Sequence, residues 1–116
     1  MRHHNHNRKF GRTTDQRRAL LRSLARSLVI REKIKTTESK AKELRPFVEK
    51  LVTKSKTNTV PNRRYLITEV GGDGAEKLLI TLGPKFKERK GGYIRVIKLP
   101  PRMSDGSPMS FVEFVK

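Results

Sequence analysis

The stretch GGYIRVIKLPPRMSDGSPMSFVEFV, residues 91–115, decides the fold class. Upstream of it, apolar residues recur at helical spacing. Within it, β-branched and aromatic residues concentrate in two short runs, 93–99 and 109–115. Pro100, Pro101, Asp105, Gly106 and Pro108 separate the runs, which therefore read as a hairpin with a long loop. Two strands alone are marginal in water, so the hairpin must pack on helices. Residues 34–37, short and β-branched, can supply a third strand.

Working back towards the amino terminus, Leu20, Leu24 and Leu28 recur every four residues with Leu21, Ala25 and Val29 beside them, and predict a helix over Thr14–Arg31. Thr13 and Gln16 have the spacing of a capping box, in which each side chain accepts from the other's backbone N–H. Ala41, Leu44, Val48, Leu51 and Val52 predict a second helix over residues 38–54. Pro46 removes a donor inside it, but the periodicity stays in phase on both sides, which predicts one bent helix. After a polar linker at 55–59, Pro61 opens a short third helix carrying Arg63, Arg64, Tyr65 and Leu66. Residues 71–74, Gly-Gly-Asp-Gly, read as a turn. Asp73 and Glu76 then have capping-box spacing for a fourth helix that buries Ala75, Leu78, Leu79 and Leu82; its strong pattern ends at Gly83-Pro84, after which Lys85 to Lys90 can add a basic turn. The expected fold is α/β of the α+β kind: about four helices packed with a small mixed sheet that contains a C-terminal β-hairpin, preceded by a basic N-terminal extension. A chain of 116 residues supports one modest core. The expected division is a basic extension over residues 1–13 and a single globular domain over 14–116.

Charge narrows the function. The formal net charge is +17, from 28 Lys and Arg against 11 Asp and Glu. So small and so positive a body repels itself and calls for a polyanionic partner. Residues 1–35 carry Arg2, Arg8, Lys9, Arg12, Arg17, Arg18, Arg22, Arg26, Arg31, Lys33 and Lys35 against Asp15 and Glu32 alone. Arg18, Arg22 and Arg26 fall on successive turns opposite the apolar stripe. They can follow a phosphate backbone or form an ordinary solvated face, and the scarcity of acids favours the first. Further basic groups follow at Arg63 and Arg64, at Lys85, Lys87, Arg89 and Lys90, and at Arg95, Lys98 and Arg102. Cations on nearly every element suit a brace embedded in folded RNA better than a scanner with one recognition helix. An architectural DNA-binding protein is the alternative, and the terminal hairpin fits helix-turn-helix modules poorly.

Catalysis finds little support. Cysteine is absent, and the three histidines, His3, His4 and His6, all lie in the leader. That leaves no thiol nucleophile and no His-based triad in the folded part, and no metal site or cofactor is expected. Glu38, Glu43, Glu49 and Glu88 stand among basic residues and read as their charge partners. Residues 71–74 lack the Gly-Lys-Ser/Thr ending of a phosphate loop. Gly91-Gly92 permits close backbone approach, to protein or to RNA. Tyr93 is either a core residue or a base-stacking one. No stretch reaches the length of a membrane-spanning helix, and no apolar leader run precedes a cleavage site.

An ordered series of short segments then carries a resemblance: Met1-Arg2-His3; Arg8-Lys9 with Gly11-Arg12; Lys35-Thr36-Thr37; Lys40-Ala41-Lys42-Glu43-Leu44-Arg45; Asn62-Arg63-Arg64; Leu82-Gly83-Pro84-Lys85-Phe86; Gly91-Gly92-Tyr93-Ile94-Arg95; and Pro108-Met109 leading into Val112-Glu113. In this order they resemble the bacterial-type large-subunit ribosomal protein seventeen family over essentially the whole chain. The chain departs from the family at Thr13-Thr14-Asp15-Gln16-Arg17, where an Asn, a Ser pair and His-Arg are usual. The resemblance implies a structural, non-enzymatic protein of the cytoplasmic large subunit near the peptide exit region. Its partners would be large-subunit rRNA and neighbouring ribosomal proteins, with neither DNA nor membrane. The RNA contacts it implies, together with the arginine face of the first helix, are Arg2, His3, Arg8, Lys9, Arg12, Arg18, Arg22, Arg26, Lys35, Lys40, Lys42, Arg45, Arg63, Arg64 and Arg95.

Overall fold

The computed structural model describes residues 13–115. Helix α1, Thr14–Arg31, starts at the expected capping box: the Gln16 N–H donates to Thr13 Oγ1 at 3.3 Å, and the Thr13 N–H donates to Gln16 Oε1 at 3.2 Å. It ends at Glu32, which takes a left-handed conformation (φ 65°) while its N–H bonds to the Leu28 carbonyl. Strand β1, Lys33–Thr37, follows at once. Thr37 then closes the strand and caps the next helix, its Oγ1 accepting from the Lys40 N–H at 3.4 Å.

Helix α2, Glu38–Ser55, buries Ala41, Leu44, Val48, Leu51 and Val52 along one stripe and runs as one helix through the exposed Pro46. The linker to α3, Val60–Lys77, is closed by Asn62, whose Nδ2 donates to the carbonyls of Lys54 (3.2 Å) and Thr57 (3.0 Å). The expected turn at residues 71–74 contracts to one residue. Gly71 alone leaves helical geometry (φ 80°, ψ 172°), and the helix resumes behind it. Asp73 is not a cap but the partner of Arg26 on α1. The helical path then passes through a π-helical turn, Leu78–Leu82, into the short α4, Gly83–Lys85, so Gly83-Pro84 does not end it. Gly83 is required by proximity: a Cβ there would lie 2.5 Å from the Ser55 carbonyl oxygen at the end of α2.

Strands β2, Ile94–Leu99, and β3, Met109–Phe114, form the hairpin, and β1 joins its other side to give the order β1-β3-β2. Both ladders are antiparallel, with Ile34 and Val96 opposite Val112. The sheet is therefore not mixed, as the sequence suggested. β1 and β2 do run parallel to each other, but β3 lies between them and no parallel ladder forms. Ile94, Val112 and Phe114 face inward and join Leu28, Val48, Leu51, Leu66, Leu78 and Leu82 in one core.

Candidate nucleic-acid interface

The arginine face of α1 is not laid out as its spacing implied. Arg22 reaches sideways to α3, where its Nε and a terminal nitrogen bond the two Glu69 oxygens at 3.1 and 3.2 Å. Arg26 meets Asp73 at 2.7 Å, and Lys77 Nζ donates to the Ile30 carbonyl at 2.8 Å and pairs with Glu32 at 3.3 Å. The contacts Arg22–Glu69, Arg26–Asp73 and Ile30–Lys77 each span 47 residues. A constant offset requires α1 and α3 to run parallel, with one polar rung per turn beside the apolar contact. Glu69 accepts the hydrogen bonds of Arg22 and so raises the guanidinium's pKa above its ordinary value, against the opposing effect of burial. Arg18, one turn earlier, is exposed and has no acidic partner among the described residues.

The remaining expected contacts divide in the same way. Lys42 pairs with Glu38 at 3.1 Å, and Arg45 stands 3.8 Å from Glu49. Arg95 meets Glu113 at 2.7 Å on the outer face of the sheet, and Lys33 approaches the same carboxylate from the other side at 3.9 Å. These three residues occupy one rung of the sheet, since Glu113 is opposite both Lys33 and Arg95. Lys42, Arg45 and Lys98 gather around Glu38 in a shallow groove between α2 and β2. Arg63 donates to Asn58 Oδ1 at 3.3 Å. Lys35, on β1, and Arg64, on α3, are exposed, and Lys40 in the first turn of α2 is partly so. None of these three is in an ion pair among the described residues. Arg2, His3, Arg8, Lys9 and Arg12 lie outside the described residues.

Around Gly91 the structure removes one of the two alternatives, close approach by another part of the protein. Gly92 takes a left-handed φ of 63° and Gly91 one of 151°, yet nothing lies within 4 Å of a Cβ placed at either. The backbone conformation favours glycine here, and packing within the protein does not require it. Tyr93 is a core residue, 1% exposed, its ring centroid 5.3 Å from that of Phe86. Burial pushes its phenol pKa up, but hydrogen bonding with Lys56 and Thr53 and the nearby ammonium charge outweigh this and leave it below the ordinary value. The lysines at the carboxyl end of α2 and the exposed Tyr65 form a group that the sequence does not announce as one. The available signal is the Lys50–Lys54 spacing, which puts both on one helix face.

Among the described residues, no group of three or more His, Cys, Asp or Glu side chains gathers as a metal site. No helix among them is long and apolar enough to cross a membrane. The acidic side chains instead hold elements together: Glu69 and Asp73 tie α3 to α1, Glu113 binds across the sheet, and Glu38 faces β2. A small α+β body that pairs most of its acids with its own cations and leaves many further cations outward is a scaffold for a polyanion. The family model described as Ribosomal protein L17 matches residues 20–115, and the chain belongs to that family, one of ribosomal structural proteins and not of enzymes. It is 47% identical over 116 residues to Large ribosomal subunit protein bL17 of Shouchella clausii, a match covering 92% of this chain and 97% of the relative. The protein of the same name from Gemmatimonas aurantiaca is 50% identical over 116 residues (99% of this chain, 98% of the relative). That from Orientia tsutsugamushi (strain Boryong) is 49% identical over 116 residues (99% and 80%).

Proposed function

We propose that the chain is a structural constituent of the large ribosomal subunit, binding and stabilising large-subunit rRNA near the peptide exit region during translation in the cytoplasm. The observation that carries this reading is the sorting of charge: Glu32, Glu38, Glu49, Glu69, Asp73, Asp105 and Glu113 are paired with the chain's own cations, while Arg18, Lys35, Lys40 and Arg64 remain available to phosphate. Family membership and the names of the relatives support the same assignment. Residues 1–13 serve as an RNA-penetrating extension, carrying Arg2, His3, Arg8, Lys9 and Arg12, and residues 14–116 form a single globular rRNA-binding domain. Of the engaged cations, the ion-paired Lys42, Arg45 and Arg95 and the Asn58-bonded Arg63 sit at the surface and can still donate to phosphate, since such exposed contacts are weak. Arg22, whose partner Glu69 is largely buried, acts chiefly by fixing α1 against α3, whereas the exposed Arg26 can donate to phosphate as well. Neighbouring ribosomal proteins are the expected protein contacts.

The test is sedimentation of cell extract on a density gradient, with crosslinking of the sedimented particles. The chain is expected with large subunits, crosslinked to rRNA close to the exit of the peptide tunnel. Recovery with the chromosome would overturn the ribosomal reading, and crosslinks confined to a remote face of the subunit would overturn the exit-region location.

A further inference from the structure

The last turns of α2, the first turns of α3 and the Gly91–Tyr93 segment enclose a depression of about 410 Å³. Its size suits one small organic group. Tyr93 forms a fixed floor: its hydroxyl donates to the Arg89 carbonyl at 3.1 Å and lies 3.4 Å from Thr53 Oγ1, and its N–H donates to Glu49 at 2.9 Å. Tyr65 forms a wall and is left 36% exposed, with no hydrogen bond to its hydroxyl among the described residues. Lys54 Nζ stands 5.1 Å from the centroid of the Tyr65 ring, and Lys50 beside it is exposed without an acidic partner among the described residues. Lys56 lies over the Tyr93 ring at 4.7 Å and donates to the Arg89 carbonyl. Glu49 is the acid of the depression. It is already engaged by the Tyr93 N–H and by Arg45 at 3.8 Å, so the rim is positive. Gly91 leaves the entrance open, with nothing within 4 Å of where a Cβ would be.

A paired RNA backbone needs a cationic track, with no use for an aromatic wall. A mostly apolar hollow with an exposed ring at its side and ammonium groups at its rim matches a base that has left its stack, together with its phosphate. We propose that this depression holds one extruded nucleotide of the bound RNA, with its base against the Tyr65 ring and its phosphate at the Lys50 and Lys54 ammonium groups. The proposal rests on the RNA-binding reading above and adds to it a preference for unpaired bases.

The experiment titrates the full chain with two RNA hairpins, one fully paired and one with a single bulged adenosine. The protein has two tyrosines and no tryptophan, so comparison with Tyr65→Phe, which leaves Tyr93 as the one tyrosine, assigns the quenching of its fluorescence. The bulged hairpin is expected to bind about tenfold more tightly and to quench the signal. Tyr65→Phe should keep the preference and lose the quenching. Tyr65→Ala should bind both hairpins with the affinity of the paired one, and Lys50→Ala with Lys54→Ala should weaken the bulged complex more than the paired. Equal binding of both hairpins by the unaltered chain overturns this proposal alone, as does a preference that survives in Tyr65→Ala. Failure to bind either hairpin overturns the RNA-binding reading with it.

Discussion

Arg22 and Glu69 form a two-pronged ion pair across the α1–α3 interface, and the Glu69 side chain is only 13% exposed. Truncating the arginine strands a partly buried carboxylate, which costs more than the pair contributes when intact. Arg22→Ala is expected to lower stability by about 1–2 kcal/mol in urea unfolding. Removing both residues should recover part of that loss, because no charge is then left unpaired. Arg22→Lys should rescue poorly, since a point charge cannot bond both oxygens in the guanidinium's geometry. An unchanged urea midpoint in Arg22→Ala would return this residue to the set of simple phosphate contacts.

Arg18 provides the contrasting case. It is exposed and unpaired among the described residues, so Arg18→Ala should leave the urea midpoint where it was. Its effect should appear in RNA affinity, with the slope of log affinity against log salt falling by about 1 for the one phosphate no longer neutralised. Arg64→Ala should behave in the same way. A salt slope identical to that of the unaltered chain would show that neither side chain neutralises phosphate.

Two glycines separate conformation from space. Gly83→Ala places a Cβ 2.5 Å from the Ser55 carbonyl oxygen and 2.9 Å from that of Leu78, both backbone atoms that cannot swing aside. A loss of about 3 kcal/mol is expected from the forced separation of α2 and α4. Gly72→Ala meets nothing within 4 Å on a helical backbone and should stabilise by about 0.5–1 kcal/mol. Thermal unfolding of the two variants should therefore move in opposite directions.

The parts of the fold legible in the sequence are those encoded within a few residues. Thr13 and Gln16 mark the start of α1 because a capping box needs only three-residue spacing. Residues 34–37 announce a strand by their β-branching. What escapes such a reading depends on distant partners. The Arg22–Glu69 and Arg26–Asp73 contacts cross 47 residues and exist only because α1 and α3 run parallel. Asp73 has the local spacing of a cap, but Arg26 draws its carboxylate into a tertiary pair. The cations of the candidate interface are readable as cations, whereas the division between those that hold the fold and those left to a ligand is not. Gly91-Gly92 stands out in the sequence, but within the protein it answers to positive-φ backbone and not to crowding.

The hairpin loop should resist acid. Arg102 hydrogen-bonds both oxygens of Asp105, and the Ser107 N–H donates to the same carboxylate at 3.1 Å. The Arg102 side chain, then Ser107, hold the Asp105 carboxyl well below its ordinary pKa of 3.8. A depressed carboxyl contributes its stabilisation above the unfolded-state pKa and loses it only as pH falls through the lower folded value. Loop order should therefore persist at about pH 3, where a free aspartate is largely protonated. The Ser107 amide resonance should stay dispersed there in the unaltered chain, while in Asp105→Asn it should already be averaged at neutral pH. A Ser107 resonance that moved with a midpoint near 3.8 in the unaltered chain would contradict the pairing.

The middle strand of the sheet comes from residues 109–114, while its two neighbours come from 33–37 and 94–99. During synthesis, the earliest strand is thus made long before anything it can zip to, and it must wait through α2, α3 and the hairpin loop. The α1–α3 rungs can close in that interval, because their last member, Lys77, is translated first. The helical half is consequently positioned to form as a platform on which the sheet is completed in one late step, with β3 joining both edges at once.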